Sequence, residues 1–423
     1  MKMKKIYILG GAQTDFERNW TKEGKSFVAM MTEVVHQTLE TVGLEMEEIR
    51  GLNEAGRMSG FIANFGGERY LNQAHLNAFL DEVDDAFIGM PAIRYESACA
   101  SGSAALLSAI HQLGNGVDVG MVLGIEIMKS LNSLDGASVL GGAAFYEQEA
   151  AGKKYPFPEL FGQLALDTIR KYHLNESRYM DHLAIIAHKN YENAKRNPNA
   201  QTRKWFMNLA HAQTRGVEYN PLVGAGLAVS DCSQITDGSA CVLLCTETYA
   251  REYCNPRGIS LDTLPFIAGW GHRHAPVSYR KKMAYARNHD CILPFTRMAI
   301  QDAYRMAGVT VSDLDLIETH DCFTSSEYAA ISCFGITPPG RELEAIESGR
   351  IFSDGDLPVN PSGGLIGGGH PVGATGVRMM LDLYNQVSEK AEEYQIKNAR
   401  TAAMLNLGGS ATSNFAFVVK RSA

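Results

Sequence analysis

No two of the eight cysteines form a Cys-x-x-Cys pair, and their positions (99, 232, 241, 245, 254, 291, 322 and 333) show no pairing rhythm. This gives neither a zinc framework nor a disulfide scaffold. It fits free thiols in a reducing, cytoplasmic compartment. No apolar run reaches transmembrane length. The start, Met1-Lys2-Met3-Lys4-Lys5 then Ile6-Tyr7-Ile8-Leu9, imitates a signal peptide, but its apolar part is too short and Gln13-Thr14-Asp15 ends it. A first strand is expected there instead. The final Lys420-Arg421-Ser422-Ala423 does not match the peroxisomal address. Positive charge is not in excess either. A net charge of −8 argues against a general nucleic-acid binder. It leaves room for a local basic patch facing a phosphorylated ligand.

The 423 residues are 45% hydrophobic and 20% charged, enough for two or three compact units. Residues 26–42 carry a helical apolar period that stops at Gly43. A similar module returns later. His36-Gln37-Thr38-Leu39-Glu40-Thr41-Val42-Gly43, then Ile49, matches Gln301-Asp302-Ala303-Tyr304-Arg305-Met306-Ala307-Gly308, then Leu314, at constant offset. This suggests a duplicated α/β half. Strands alternating with helices imply a largely parallel sheet, covered on both faces, in each half. Residues 117–127 and 239–246 have strand character, and Cys241 and Cys245 should be buried on one face of the second run. Between them the rhythm changes to helix signals, aromatics and proline. The expected division is 1–130 plus 228–260 as the first half, 131–227 as an inserted, mainly helical subdomain, and 261–423 as the second half.

Three clusters can carry chemistry. The first is Tyr95-Glu96-Ser97-Ala98-Cys99-Ala100-Ser101-Gly102, followed at once by a helical pattern. Cys99 is expected at a helix N-terminus, where unpaired N–H groups stabilise a thiolate. The alternative is a buried structural cysteine near a tight turn. The second cluster is His320-Asp321-Cys322-Phe323, after a strand-like run from Leu314 to Thr319. The third is Gly367-Gly368-Gly369-His370-Pro371-Val372-Gly373-Ala374-Thr375-Gly376, which implies close backbone approach to a ligand. It is no P-loop, because Gly-Lys-Ser/Thr is missing. The turn Asn406-Leu407-Gly408-Gly409-Ser410 offers further backbone donors. Each cluster has a bland reading, as a satisfied polar residue, a helix cap or a core thiol. Together, a cysteine, a second cysteine beside a histidine and a histidine in a glycine turn form an activated-nucleophile set with an added acid/base.

These motifs resemble the thiolase superfamily, in particular the sterol-carrier-protein-X type and the archaeal-type acetyl-CoA acetyltransferases. Ser230-Asp231-Cys232-Ser233, Thr236-Asp237-Gly238, His188-Lys189-Asn190-Tyr191 and Asn197-Pro198-Asn199-Ala200-Gln201 extend the resemblance over nearly the whole chain. It implies an α/β thiolase fold of two duplicated halves in five layers (αβαβα) with an inserted loop subdomain. It implies that Cys99 is the acylated nucleophile and that His370 takes its proton. His320 replaces the Asn of the usual Asn-Glu-Ala-Phe motif and, with a water, holds the thioester oxygen of the second substrate. The N–H groups of Cys99 and Gly409 form the other oxyanion hole. The common thiolases keep their second cysteine in a C-terminal Cys-x-Gly turn, which here reads Leu407-Gly408-Gly409. In the sterol-carrier type Cys322 inherits that role.

The implied reaction is CoA-dependent cleavage of a 3-oxoacyl-CoA, or its reversal as a Claisen condensation. CoA is a substrate, its pantetheine arm crossing the insertion, and no metal or redox cofactor is needed. Residues binding the CoA phosphates are not assigned. Acetoacetyl-CoA is the default substrate. Benzoylsuccinyl-CoA, giving benzoyl-CoA and succinyl-CoA, is a candidate from likeness to thiolases of aromatic degradation. The aromatics Tyr155, Phe157, Phe161, Trp205 and Phe206 either line an acyl pocket or pack the insertion. Expected partners are a second copy of the chain, or a higher oligomer, and a small zinc-ribbon/OB-fold protein; nucleic acid and membrane are not expected. A decarboxylating ketoacyl synthase would not need Cys322. A non-catalytic lipid- or acyl-binding subunit would not need to retain all four reactive side chains.

Overall fold

Ser26 accepts a hydrogen bond from the Ala29 N–H and caps the helix Phe27–Val42, while Gly43 closes it at φ +68°. The later module repeats this: the helix Pro294–Ala307 ends at Gly308 with φ +63°. In both places only a residue without Cβ takes the left-handed turn cheaply. The computed structural model describes residues 5–422, so the basic start Met1–Lys4 and the last residue of the C-terminal tetrapeptide lie outside the described residues.

Among the described residues nine strands form one mixed sheet. They are β1 (Ile6–Gln13), β2 (Met58–Ala63), β3 (Ala92–Tyr95), β4 (Val119–Glu126), β5 (Gly238–Thr246), β6 (Phe266–His274), β7 (Leu316–Thr319), β8 (Thr401–Gly408) and β9 (Ser413–Lys420). Their order is β3-β2-β4-β5-β1-β6-β9-β8-β7. The order reads nearly the same from either end, with β1 and β6 at its centre, as duplication requires. The two halves join through a short antiparallel contact, Ile6 with Ile267 and Tyr7 with Phe266.

The expectation of largely parallel halves is corrected. Only β2–β3, β2–β4 and β7–β8 are parallel. The pairs β1–β5, β4–β5, β6–β9 and β8–β9 are antiparallel. The physical reason lies in the connections. β8 and β9 are joined by a tight turn at residues 409–412, which forces antiparallel pairing, and β5 enters after a long insertion from the opposite direction.

The helix Phe27–Val42 packs on β1 and β5, and the helix Pro294–Ala307 packs on β6 and β9. Between the two halves lie the helices Ser101–Gln112 and Thr375–Val387, which contact each other; Thr375–Val387 packs on strands of both halves and Ser101–Gln112 on β2, β3 and β4. The Thr375–Val387 helix is buried along nearly its whole length, as a middle layer must be. This gives five layers. Cys241 and Cys245 are fully buried in the same apolar cluster, as expected. Among the described residues no strand of the sheet comes from the stretch between β4 and β5. That stretch supplies the helices Ser133–Gly141, Pro156–Tyr172 and Glu176–Ala194.

Candidate active site

Cys99, His320, Cys322, His370 and Gly409 arrive from four separate turns. Cys99 lies between β3 and the Ser101–Gln112 helix. The residue before it, Ala98, sits at φ +52°, a strained conformation for a side chain with Cβ. His320 and Cys322 follow β7, His370 precedes the Thr375–Val387 helix, and Gly409 opens the β8–β9 turn. The fold brings them together. Cys99, Cys322, His370 and Gly409 line one cavity of about 290 Å³. His320 stands behind it, fully buried, its ring 5.2 Å from that of His370 and nearly perpendicular to it. The Cys99 sulfur and a ring nitrogen of each histidine lie within 4.8 Å of one another.

The hydrogen bonds around the two rings assign them opposite roles. The Asn406 Nδ2 group lies 3.1 Å from the Cys99 carbonyl, which only accepts, so the amide is oriented. The same Nδ2 group lies 3.0 Å from His320 Nδ1, so that nitrogen accepts. The His320 proton is therefore on Nε2. His370 Nδ1 lies 2.7 Å from Thr375 Oγ1, whose hydroxyl donates to the Pro371 carbonyl at 3.0 Å. Thr375 Oγ1 must accept, so His370 carries its proton on Nδ1 and a lone pair on Nε2. Neither Nε2 has a protein partner among the described residues. Beside the cysteine, His320 offers a donor and His370 an acceptor.

Burial keeps both rings neutral. It pushes His370 down to about 3 and His320 well below the usual imidazole range, and Arg378 adds to both effects. The expected ready-made thiolate is corrected. Burial pushes the Cys99 thiol up to about 12, although the N–H groups of Gly409 and of Cys99 itself pull it down. The helix begins only at Ser101, so its N-terminus does not outweigh desolvation. Cys99 therefore reacts only if a base takes its proton, and the His370 ring brings a nitrogen within 4.8 Å of the sulfur. Burial also raises Cys322 well above the ordinary thiol value, and the nearby Cys99 adds to this.

Three ligand atoms within 4.8 Å would also suit a metal ion. The His320 tautomer does not fit that use, because Asn406 occupies Nδ1 and Nε2 carries the proton, which leaves no free lone pair for a metal.

Gly409 has φ +60°, and a Cβ there would stand 2.6 Å from the Ala143 carbonyl. Asp321 joins two of the turns. It accepts from the Leu365 and Ile366 N–H groups beside the glycine turn, at 2.6 and 3.2 Å, and from Asn190 Nδ2 at 2.7 Å. Lys189, Asn190 and Asn360 surround Glu327 in the same buried network. Thr236 receives the His370 N–H at 2.8 Å. The quoted motifs outside the reactive clusters thus brace the turns.

Tyr155, Phe157 and Phe161 line the cavity, with Phe323 stacked 4.6 Å from Phe161. Trp205 and Phe206 do not; both are exposed. Sequence reasoning missed Asn406 and Thr375 as orienting groups. The signal was present for Asn406, the lone amide in the apolar run of β8, since a buried amide must find partners.

The thiolase C-terminal domain-like family matches residues 278–421. An acetyl-CoA acetyltransferase of Methanothermobacter thermautotrophicus is 30% identical over 410 residues, covering 96% of this chain and 97% of that protein. Among solved structures, an Ltp2-ChsH2(DUF35) aldolase shares the fold at TM-score 0.74 and 17% identity, covering 99% of this chain and 98% of that one. A monomeric SCP2-thiolase-like protein type 1 from Mycobacterium smegmatis does so at TM-score 0.71 and 15% identity, covering 100% of this chain and 79% of that one. The chain belongs to the thiolase superfamily, in the group that includes the archaeal acetyl-CoA acetyltransferases and the SCP2-thiolase-like proteins.

Proposed function

We propose that the chain is a thiolase-type acyltransferase that works through an acyl group on Cys99. The observation that carries this reading is the pair of opposite tautomers, a lone pair on His370 Nε2 and a proton on His320 Nε2, in rings that each bring a nitrogen within 4.8 Å of the Cys99 sulfur. A nucleophilic thiol needs the first, and an enolate oxygen needs the second.

In the cleavage direction Cys99 attacks the 3-oxo carbon while His370 takes the thiol proton. The N–H groups of Cys99 and Gly409 receive the oxyanion. The Cα–Cβ bond then breaks, His320 Nε2–H holds the thioester enolate oxygen, and Cys322 gives its proton to the α-carbon. In the second half, free CoA attacks the acyl-enzyme, and Cys322 takes the proton of the incoming thiol. His370 returns its proton to Cys99. The products are an acyl-CoA shorter by two chain carbons and the thioester released in the first half. CoA is a substrate, and no other cofactor enters. The division into 1–130 with 228–260, 131–227 and 261–423 belongs to the same proposal.

Acetyl transfer, with acetoacetyl-CoA as the 3-oxoacyl thioester, is the default. A second reading, benzoylsuccinyl-CoA, is favoured by the aromatic wall of Phe157, Phe161 and Phe323, which suits a flat acyl group. It has a cost: that substrate carries a free carboxylate, and no lysine or arginine lines the cavity. An additional small OB-fold protein completing the CoA channel would have to supply the cation. A homodimer is the proposed assembly, because β3 ends the sheet and its Ile93 is 53% exposed.

The test is intact-protein mass after brief mixing with acetyl-, succinyl- or benzoyl-CoA, with Cys99→Ala as control. A CoA-free acyl adduct that the variant loses is expected, and the acyl group retained selects the substrate. No adduct with any of the three would overturn the enzyme reading in favour of an acyl-binding subunit.

A further inference from the structure

The β8–β9 turn is gripped from outside by a residue that lines no part of the catalytic cavity. Lys282 comes from the helix Tyr279–Ala286 and is 3% exposed. Its Nζ donates to the Ser410 carbonyl at 2.6 Å, to Ser410 Oγ at 2.6 Å and to Thr412 Oγ1 at 2.7 Å. An ammonium group has three protons, and all three are spent on residues 410–412. A buried lysine is costly, and burial pulls this one down to about 7. Glu149 opposes that pull, and it also accepts the Tyr279 N–H at 2.5 Å at the start of the same helix. The arrangement is therefore a built one, joining the 146–150 segment, the Tyr279–Ala286 helix and the turn.

Residues 409–412 need such a grip. Gly409 and Ala411 both adopt positive φ, at +60° and +58°. Within the turn only Ala411 N to Gly409 O and Thr412 N to Gly408 O close the backbone, at 3.0 and 2.9 Å. Asn414 secures the far side, through the Ala411 carbonyl at 3.1 Å. Gly409, on the near side, has the Ala143 carbonyl against it and its N–H turned to the Cys99 sulfur. A donor in an oxyanion hole works over a few tenths of an ångström, so whatever fixes Ser410 fixes the preceding N–H.

We propose that Lys282 is a positioning residue for the acyl-oxyanion hole: its buried side chain ties residues 410–412 to the Tyr279–Ala286 helix and so sets the place of the Gly409 N–H. The inference rests on the reading of Gly409 as an oxyanion donor.

The experiment compares the full chain with Lys282→Met, which keeps most of the length and loses the donors, and Thr412→Val, which keeps the lysine and removes one acceptor. The readout is the single-turnover rate of Cys99 acylation, followed by mass, as a function of acyl-CoA concentration, with a melting curve for each protein. Lys282→Met is expected to lower the limiting rate about 10²-fold, the scale of one misplaced oxyanion donor. Its half-saturating concentration should stay within about twofold, because Lys282 does not line the cavity. Thr412→Val should lose several-fold in rate in the same sense. A folded Lys282→Met that acylates at the wild-type rate overturns the proposal, as does a loss confined to half-saturation. If Lys282→Met does not fold, an unchanged limiting rate in Thr412→Val overturns it. A wild-type chain that never acylates is a separate outcome, and overturns the acyl-enzyme reading beneath.

Discussion

Cys99 and Cys322 are the same side chain in the same cavity, and their neighbours give them different work. Cys99 has the His370 lone pair and two N–H groups around its sulfur. Burial first, and then Cys99 and Asp321 beside it, keep the proton on Cys322. A thiol held protonated suits delivery of a proton to carbon. Cys322→Ala should therefore lower carbon–carbon cleavage by about 10²–10⁴-fold, and it should slow acylation by an acyl-CoA as well, because the same thiol protonates the departing CoA sulfur. Deuterium uptake from D2O at the α-carbon of acetyl-CoA checks it, and undiminished uptake in the variant would remove Cys322 from the chemistry. The histidine gives a pH prediction. Folding lowers the His370 value to about 3, so the folded ring is neutral above that pH and does not titrate between about pH 5 and 9. The acylation rate should be flat over that range, whereas a step between about pH 6 and 7 would show a ring solvated like free imidazole. The reactive residues were legible in the sequence because cysteine and histidine beside glycine turns are rare and chemically loud. Their charge states were not. The thiol value depends on desolvation by residues far away in the chain, which no local pattern reports.

At the scale of elements, the site depends on two helices whose first turns meet without side chains between them. A Cβ on Gly102 would lie 2.7 Å from the Val377 N atom. One on Gly376 would lie 2.4 Å from the Ser103 N atom and 2.6 Å from Asn406 Oδ1. The helix after Cys99 and the helix after His370 are thus locked together beside the amide that orients His320. Gly376→Ala should cost about 1–3 kcal/mol in denaturant unfolding, the scale of overpacking. It should also slow acylation by displacing Asn406; an unchanged stability would mean that the contact relaxes freely. The helices themselves were readable, since the 26–42 period and its Gly43 stop correspond to Phe27–Val42. The duplicated unit was readable for the same reason. Strand direction was not. β8 and β9 are buried almost without interruption and so carry no mark of orientation, and the tight turn between them, unrecognised as a hairpin, decides it. The Lys282 grip was invisible as well, because one lysine in a basic run (Arg280-Lys281-Lys282) looks like any solvated charge.

At the scale of the whole molecule, duplication leaves the sheet symmetric except at its ends. β7 ends one side, but residues 358–360 cover it: Ile317 N–H donates to the Pro358 carbonyl at 2.9 Å and Asn360 N–H donates to the Ile317 carbonyl at 2.8 Å. β3 ends the other side as a full strand, where the second half has only the short parallel bridge of Val359 with Ile317. Ile88 and Ile93 are both more than half exposed beside it. An apolar terminal strand of this kind invites pairing with another chain. β3 leads within four residues to Cys99, so a second copy paired there would press on the loop that holds the nucleophile and its strained neighbour Ala98. Ile93→Lys places a charge on the exposed face of β3 and leaves its pairing with β2 intact. Light scattering at micromolar concentration should give twice the chain mass for the wild type and the 46.2 kDa of one chain for the variant. If contact across β3 supports the Cys99 loop, the variant should also acylate more slowly at low protein concentration and recover as the concentration rises. A wild type that scatters as a single chain would show that this molecule shields its open edge in some other way.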